Sequence, residues 1–161
     1  KRPVWPGIAT DRVKSKTDPG RPASEIVNQV NLSRTIGKNW AGHCHWSMKS
    51  LLQNRAGTTS ALKRGAYVAP ALIPPMTWMQ GQAPGSPAVS AKISGKSVSV
   101  SWNRVAGASK YAVQTRYGNQ WYASAVTYAS GVNLSGKPNA IAVYAVDRYG
   151  NASRPTVVTL R

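Results

Sequence analysis

An α/β segment followed by an all-β sandwich is the fold class this sequence predicts, and two patterns of hydrophobicity predict it. Residues 85–161 hold seven short runs in which apolar and polar residues alternate, separated by Gly, Asn, Ser and Pro, as the strands of a sandwich do. Residues 1–80 instead read as strand, helix, strand, helix, the order of parallel βαβ units. The seven runs are 88–93, 97–102, 110–117, 120–126, 132–134, 140–147 and 156–160. In the second, Val98, Val100 and Trp102 share one face and Ser97, Ser99 and Ser101 the other. Tyr111, Val113 and Thr115 repeat the pattern, as do Ile141, Val143 and Ala145, and these residues are the expected core. Gly95, Gly118 and Gly150 mark turns that call for a positive φ.

In the first part, residues 4–9 form an apolar run acceptable for a buried strand, although Pro6 weakens it. Pro22, with Glu25 in the first turn, marks a helix start whose apolar face is Ile26, Val27 and Val30 and whose end is Gly37. A second buried strand is expected over 40–46, a short helical turn over 51–54, and a helix over 58–64 closed by Gly65. Two strands and two helices cannot cover both faces of a parallel sheet. The segment is therefore expected to be the tail of a larger α/β domain. Residues 69–87, rich in Pro, Ala and Gly, read as a linker or wrap-around segment with Trp78 as an anchor. The expected organisation is 1–78, a Pro/Gly linker at 79–86, and the sandwich at 87–161.

Charge and cysteine content set limits on partners. Twenty-one Lys plus Arg oppose four acids, Asp11, Asp18, Glu25 and Asp147, for a net charge of +17 over 161 residues. Such a field attracts polyanions without choosing among them. Residues 1–80 carry +9 and residues 81–161 carry +8, so the charge is spread rather than gathered on one helix or groove. No specific nucleic-acid partner is expected. No run approaches the ~18 apolar residues of a membrane span, and the start at Lys1 suggests a processed or excised piece. Cys44 stands alone, which excludes an internal disulfide, and its apolar neighbours predict a buried, inert thiol.

Several stretches resemble known families. Ser97-Val98-Ser99-Val100-Ser101-Trp102, Tyr111-Ala112-Val113 and the run 143–153 resemble the second, third and sixth strands of a fibronectin type III domain. That resemblance implies an immunoglobulin-like β-sandwich; Asn139 stands near where the family places its tyrosine corner. Residues 4–10, Glu25-Ile26-Val27-Asn28-Gln29-Val30 with Arg34, Gly42-His43-Cys44-His45-Trp46-Ser47, and Leu62-Lys63 are similar to the glycosyl-hydrolase-like family 10. So is Tyr67 with Pro70, Ala71, Leu72 and Pro74, which is the most specific piece. The family comprises bacterial envelope lipoproteins and secreted enzymes. The resemblance implies that the first part is the C-terminal fragment of a (β/α)8 TIM barrel, its strands seven and eight. It also implies a glycoside hydrolase acting on peptidoglycan or another envelope or extracellular polysaccharide, located in the periplasm, on the outer membrane or outside the cell. The missing N-terminal part of the barrel then becomes the fragment's partner, and the sandwich a spacer or binding module.

Glycoside hydrolysis generally needs two carboxyl groups roughly 5 to 10 Å apart. Asp11 and Asp18 lie in or beside one loop, Glu25 is explained as first-turn helix charge, and Asp147 belongs to the sandwich. The catalytic carboxylates are thus expected outside these residues, and the fragment alone is expected to be inactive. Barrel active sites form at the carboxyl ends of the strands, which points to Thr10, Arg12, Trp46 and Ser47 as substrate-binding residues. Trp46 either stacks on a sugar ring or packs in a core; Arg12 could pair with an acidic group on a glycan. His43 and His45 leave one face of a strand, half of a metal site without an apparent third ligand, and imidazoles also fill interiors through hydrogen bonds. No metal and no cofactor is expected. Ser47 has no His-plus-acid pattern beside it. The sandwich has more aromatics than its core needs (Tyr117, Trp121, Tyr122, Tyr128, Tyr144, Tyr149), so some must be exposed, either to bind a partner or to pack across strands. The alternative function is a non-catalytic adhesion or interaction module that binds a protein or a polyanionic polymer.

Overall fold

The structure, a computed structural model, describes residues 4–36, 42–79 and 81–160. The chain divides into two compact units, Lys1–Val68 and Ala69–Arg161.

In the first unit, strand β1 (Gly7–Ala9) pairs in parallel with β2 (Cys44–Trp46), in the register Gly7↔Cys44, Ile8↔His45 and Ala9↔Trp46. Helix α1 (Ala23–Thr35) lies between them in the chain, so the expected βαβ order is present; α2 (Met48–Leu52) and α3 (Thr58–Arg64) follow. Pro22 sits at the helix N-cap in extended geometry, φ −83° and ψ 162°, and needs no N–H of its own there. Ile26 and Val30, one turn apart, pack with Ile8, Val13 and Leu62 into a fully buried cluster. That cluster fixes which way the sheet faces. Ile8 points at the helices, and with a period of two its register partner His45 shares that side while Gly7, Cys44 and Trp46 take the other.

The expected second buried strand is therefore corrected. Cys44 is exposed and Trp46 is 72% exposed. Their side of the sheet lacks the cover that α1 and α3 give to the Ile8 side. Gly37 and Trp40, expected to end the helix and begin the strand, lie outside the described residues. The short helix begins at Met48, three residues before the expected turn, whereas α3 and its closing Gly65 fall where the sequence puts them.

The second unit is a two-sheet antiparallel sandwich. Strands β3 (Val89–Ser94), β4 (Ser97–Trp102) and β7 (Gly131–Ser135) form one sheet in the order β3-β4-β7. The other has the order β6-β5-β8-β9, from β5 (Lys110–Tyr117), β6 (Gln120–Thr127), β8 (Ala140–Val146) and β9 (Thr156–Thr159). Val98, Val100, Trp102, Tyr111, Val113, Ile141, Val143 and Ala145 are buried together with Leu134, so the alternation in the sequence does define the core. Gly95, Gly118 and Gly150 have φ of 57°, 58° and 87°. At the tyrosine-corner position Asn139 instead accepts the Gly118 N–H on its Oδ1 at 2.6 Å, while its own N–H donates to the Arg116 carbonyl at 2.7 Å.

Part of the Pro-rich segment wraps onto this sandwich. The Met76 N–H donates to the Tyr149 carbonyl at 2.8 Å, and a Cβ at Gly150 would stand 3.0 Å from the carbonyl oxygens of Ile73 and Pro74. Glycine at 150 thus serves twice, for its positive φ and for this close approach. Trp78, the expected anchor, is 43% exposed.

Candidate functional site: a histidine–tyrosine cluster

Immediately after Arg64 ends α3, the chain turns at Gly65, and the Tyr67 N–H donates to the Leu62 carbonyl at 2.8 Å. This turn aims the Tyr67 ring at β2. The phenol oxygen meets His45 Nε2 at 2.6 Å and also bonds His43 Nε2. The two imidazoles stand edge to face with centroids 5.0 Å apart, and the Tyr67 ring stacks on His43 at 5.8 Å. Each imidazole is held from behind. His45 Nδ1 lies 2.8 Å from the hydroxyl of buried Thr10, just after β1, and His43 Nδ1 lies 3.3 Å from the hydroxyl of buried Ser33 on α1. Ser33 in turn donates to the Val30 carbonyl at 2.7 Å.

Electrostatics keep the three rings neutral at neutral pH. Burial pushes the His43 pKa down, helped by His45 and by the Arg34 guanidinium, and burial does the same to His45. Burial raises the Tyr67 phenol, with Arg34, 5.7 Å from the ring centroid, acting against it. Two neutral imidazoles and a phenol, with their hydrogen-bonding edges converging, can pass hydrogen bonds or take up a Lewis acid.

The four residues expected to touch substrate are not gathered into one cleft. Thr10 is buried and serves His45. Trp46, on the opposite face of the sheet, is exposed, so core packing is excluded within this unit. Arg12 is exposed, and half-buried Ser47 precedes α2, its carbonyl accepting the Ser50 hydroxyl at 2.9 Å. Cys44, expected to be buried, shares the open face with Trp46. Among the acids, Asp18 pairs with Arg21 at 2.6 Å and Glu25 accepts the Gln29 amide at 2.7 Å. Among the described residues no group of three or more His, Cys, Asp and Glu side chains could hold a metal. Tyr67 is the site residue that sequence reasoning missed. It appeared there only as the first position of the most specific motif, and no spacing relates it to residues more than twenty positions earlier. In the sandwich, Tyr117, Trp121, Tyr122 and Tyr128 are exposed as expected, with Arg116 5.5 Å over the Trp121 ring.

A parallel βαβ unit carrying a His–Tyr cluster, followed by a two-sheet sandwich, is what fold and site define. No family model matches the chain. Over 89 residues, 53% of the chain, it is 34% identical to a curated relative, the glycosyl hydrolase YngK of Bacillus subtilis strain 168, and it spans 17% of that protein's length. Among solved structures, FN3tt matches with a TM-score of 0.44 at 19% identity, over 50% of this chain and 95% of its own. The glycoside hydrolase domain of Endo-D from Streptococcus pneumoniae R6 matches with a TM-score of 0.42 at 18% identity, over 50% of this chain and 15% of its own. The chain is thus similar in sequence, over about half its length, to a small part of a glycosyl hydrolase.

Proposed function

We propose that this chain is the C-terminal portion of a bacterial glycoside hydrolase acting on an envelope or extracellular polysaccharide such as peptidoglycan. In this reading the first unit is the last part of a (β/α)8 barrel and the second a fibronectin type III module that spaces the enzyme or binds polymer. The 34% identity to a glycosyl hydrolase carries the reading. The open sheet face supports it, because parallel sheets are normally covered on both sides and the Cys44–Trp46 side here is not. Catalysis then rests on carboxylates from the rest of the barrel, and Trp46 at the carboxyl end of β2 stacks on a sugar ring.

Glycan cleavage by the complete gene product, followed as new reducing ends on peptidoglycan strands, tests this. Cleavage is expected, and Trp46→Ala should lower kcat/KM about tenfold, the equivalent of one aromatic contact. A complete gene product without further βα units bearing acids at their strand ends, or one that cuts no glycan, overturns the proposal and leaves the interaction module as the function.

A further inference from the structure

We propose that His43, His45 and Tyr67 form a binding site for a late first-row divalent cation of the copper(II) or zinc(II) class. Independently of the glycosidase reading, the protons at these three rings are too few for the lone pairs that face them. The Ser33 hydroxyl donates to the Val30 carbonyl at 2.7 Å, so its oxygen is free to accept from His43 Nδ1–H. That assignment, made from the hydrogen-bond network, leaves His43 Nε2 a bare lone pair. At His45 the same logic holds: the Thr10 hydroxyl donates to the Ile8 carbonyl at 3.3 Å and accepts from Nδ1 at 2.8 Å. Two lone pairs then converge on a phenol that has one proton to give. A cation satisfies all three atoms at once.

The supporting groups also fit. Metal-binding histidines almost always have the second ring nitrogen held by a hydrogen-bonding partner, which fixes tautomer and orientation; here buried Thr10 and Ser33 hold both. Two imidazoles and one phenol oxygen make an N2O set, which suits copper and zinc rather than calcium or magnesium. On binding, the Tyr67 O–H bond breaks, the oxygen bonds the metal as phenolate, and the proton leaves to solvent. Tyr67 is 37% exposed, which leaves room for water on the remaining coordination positions. Arg34 works in both directions, repelling the cation and favouring the phenolate. The strand spacing of His43 and His45 shows half of this set; the fold adds Tyr67.

The test uses the 161-residue chain without a histidine tag, titrated with copper(II) and, in parallel, zinc(II). One copper per chain is expected, with a visible phenolate-to-copper charge-transfer band and a higher thermal midpoint for the first unit. Tyr67→Phe should abolish the band while the two imidazoles retain weaker binding. His43→Gln and His45→Gln should each lower affinity at least tenfold, and Ser33→Ala, which removes only the support behind His43, by about 10- to 100-fold. Copper that gives neither the band nor a thermal shift overturns the proposal in favour of a closed hydrogen-bonded relay, with the Thr10 hydroxyl turned to His45 Nδ1. A band that survives Tyr67→Phe overturns it in favour of adventitious surface binding.

Discussion

Asp147 carries, alone, the acid sensitivity of the second unit, since no other Asp or Glu occurs between residues 69 and 161. It is buried, which raises its pKa, but hydrogen bonds outweigh that cost. Oδ1 accepts the N–H groups of Tyr149 and Asn151 at 2.8 Å, and Oδ2 accepts the Asn151 side-chain amide at 2.8 Å. The net shift is downward. A carboxylate whose folded pKa lies below its unfolded value contributes stability above the unfolded pKa, about 3.9, and loses it as pH falls through the folded value. The thermal midpoint of the sandwich should therefore hold steady from pH 7 to 5 and drop below about pH 4. Asp147→Asn should flatten that drop and cost about 2 kcal/mol at pH 7, because a neutral amide replaces a charged acceptor facing another amide donor. Thermal melts of both proteins across this range check it, and an acid transition of unchanged steepness in the variant would sink the assignment. The sequence shows Asp147 only as one acid in a strand-end turn. The convergence of donors on it comes from the turn's geometry.

At the scale of elements, legibility followed the number of partners each element keeps within the chain. The seven sandwich strands lie within one residue of their expected bounds, because turn residues bracket each run and each finds its opposing sheet in the same unit; β4 alternates buried and exposed residues throughout. β2 ends at Trp46 as the sequence predicts but begins only at Cys44 among the described residues, and it is not buried: period alone cannot tell whether the second face of a parallel strand has a cover. Helix α1 was readable because Ile26 and Val30 repeat at helical spacing above a sheet that is present. It follows that α1 is held by this one stripe. Val30→Ala should destabilise the first unit by about 2 kcal/mol, the order expected for removing a buried branched side chain. Asn28→Ala, on the exposed side of the same helix, should change stability by no more than about 0.5 kcal/mol. Hydrogen exchange at the α1 amides gives both values, and equal losses from the two substitutions would show that the helix does not pack as described. His43, His45 and Tyr67 illustrate the opposite limit: their meeting depends on a strand, a helix and a turn arriving at one point, and no single element's pattern contains it.

For the molecule as a whole, a net charge of +17 is the most conspicuous property and the least specific. The two units carry it almost evenly: Lys14, Lys16 and Arg21 sit in the loop before α1, while Lys92, Lys96 and Arg104 lie on or beside the strands of the sandwich. Charge distributed in this way acts as a field. At 0.1 M salt the Debye length is about 10 Å, so cations farther apart than that contribute nearly independently. Duplex DNA and polyglutamate should accordingly bind alike at low salt, since neither bases nor sugars are read. If four to six phosphates are neutralised, counterion release lowers affinity for the duplex by about 10² to 10³ between 50 and 200 mM salt. Lys14→Glu or Lys92→Glu should each change affinity by no more than about threefold, because neither completes a site. Titration of a fluorescent duplex at a series of salt concentrations, with polyglutamate as competitor, measures all of this. Binding that persists at physiological salt, prefers single strands, or collapses on one substitution would mean that the basic residues form a nucleic-acid surface. The expected result would leave charge as a field that raises the local concentration of any polyanion without recognising it.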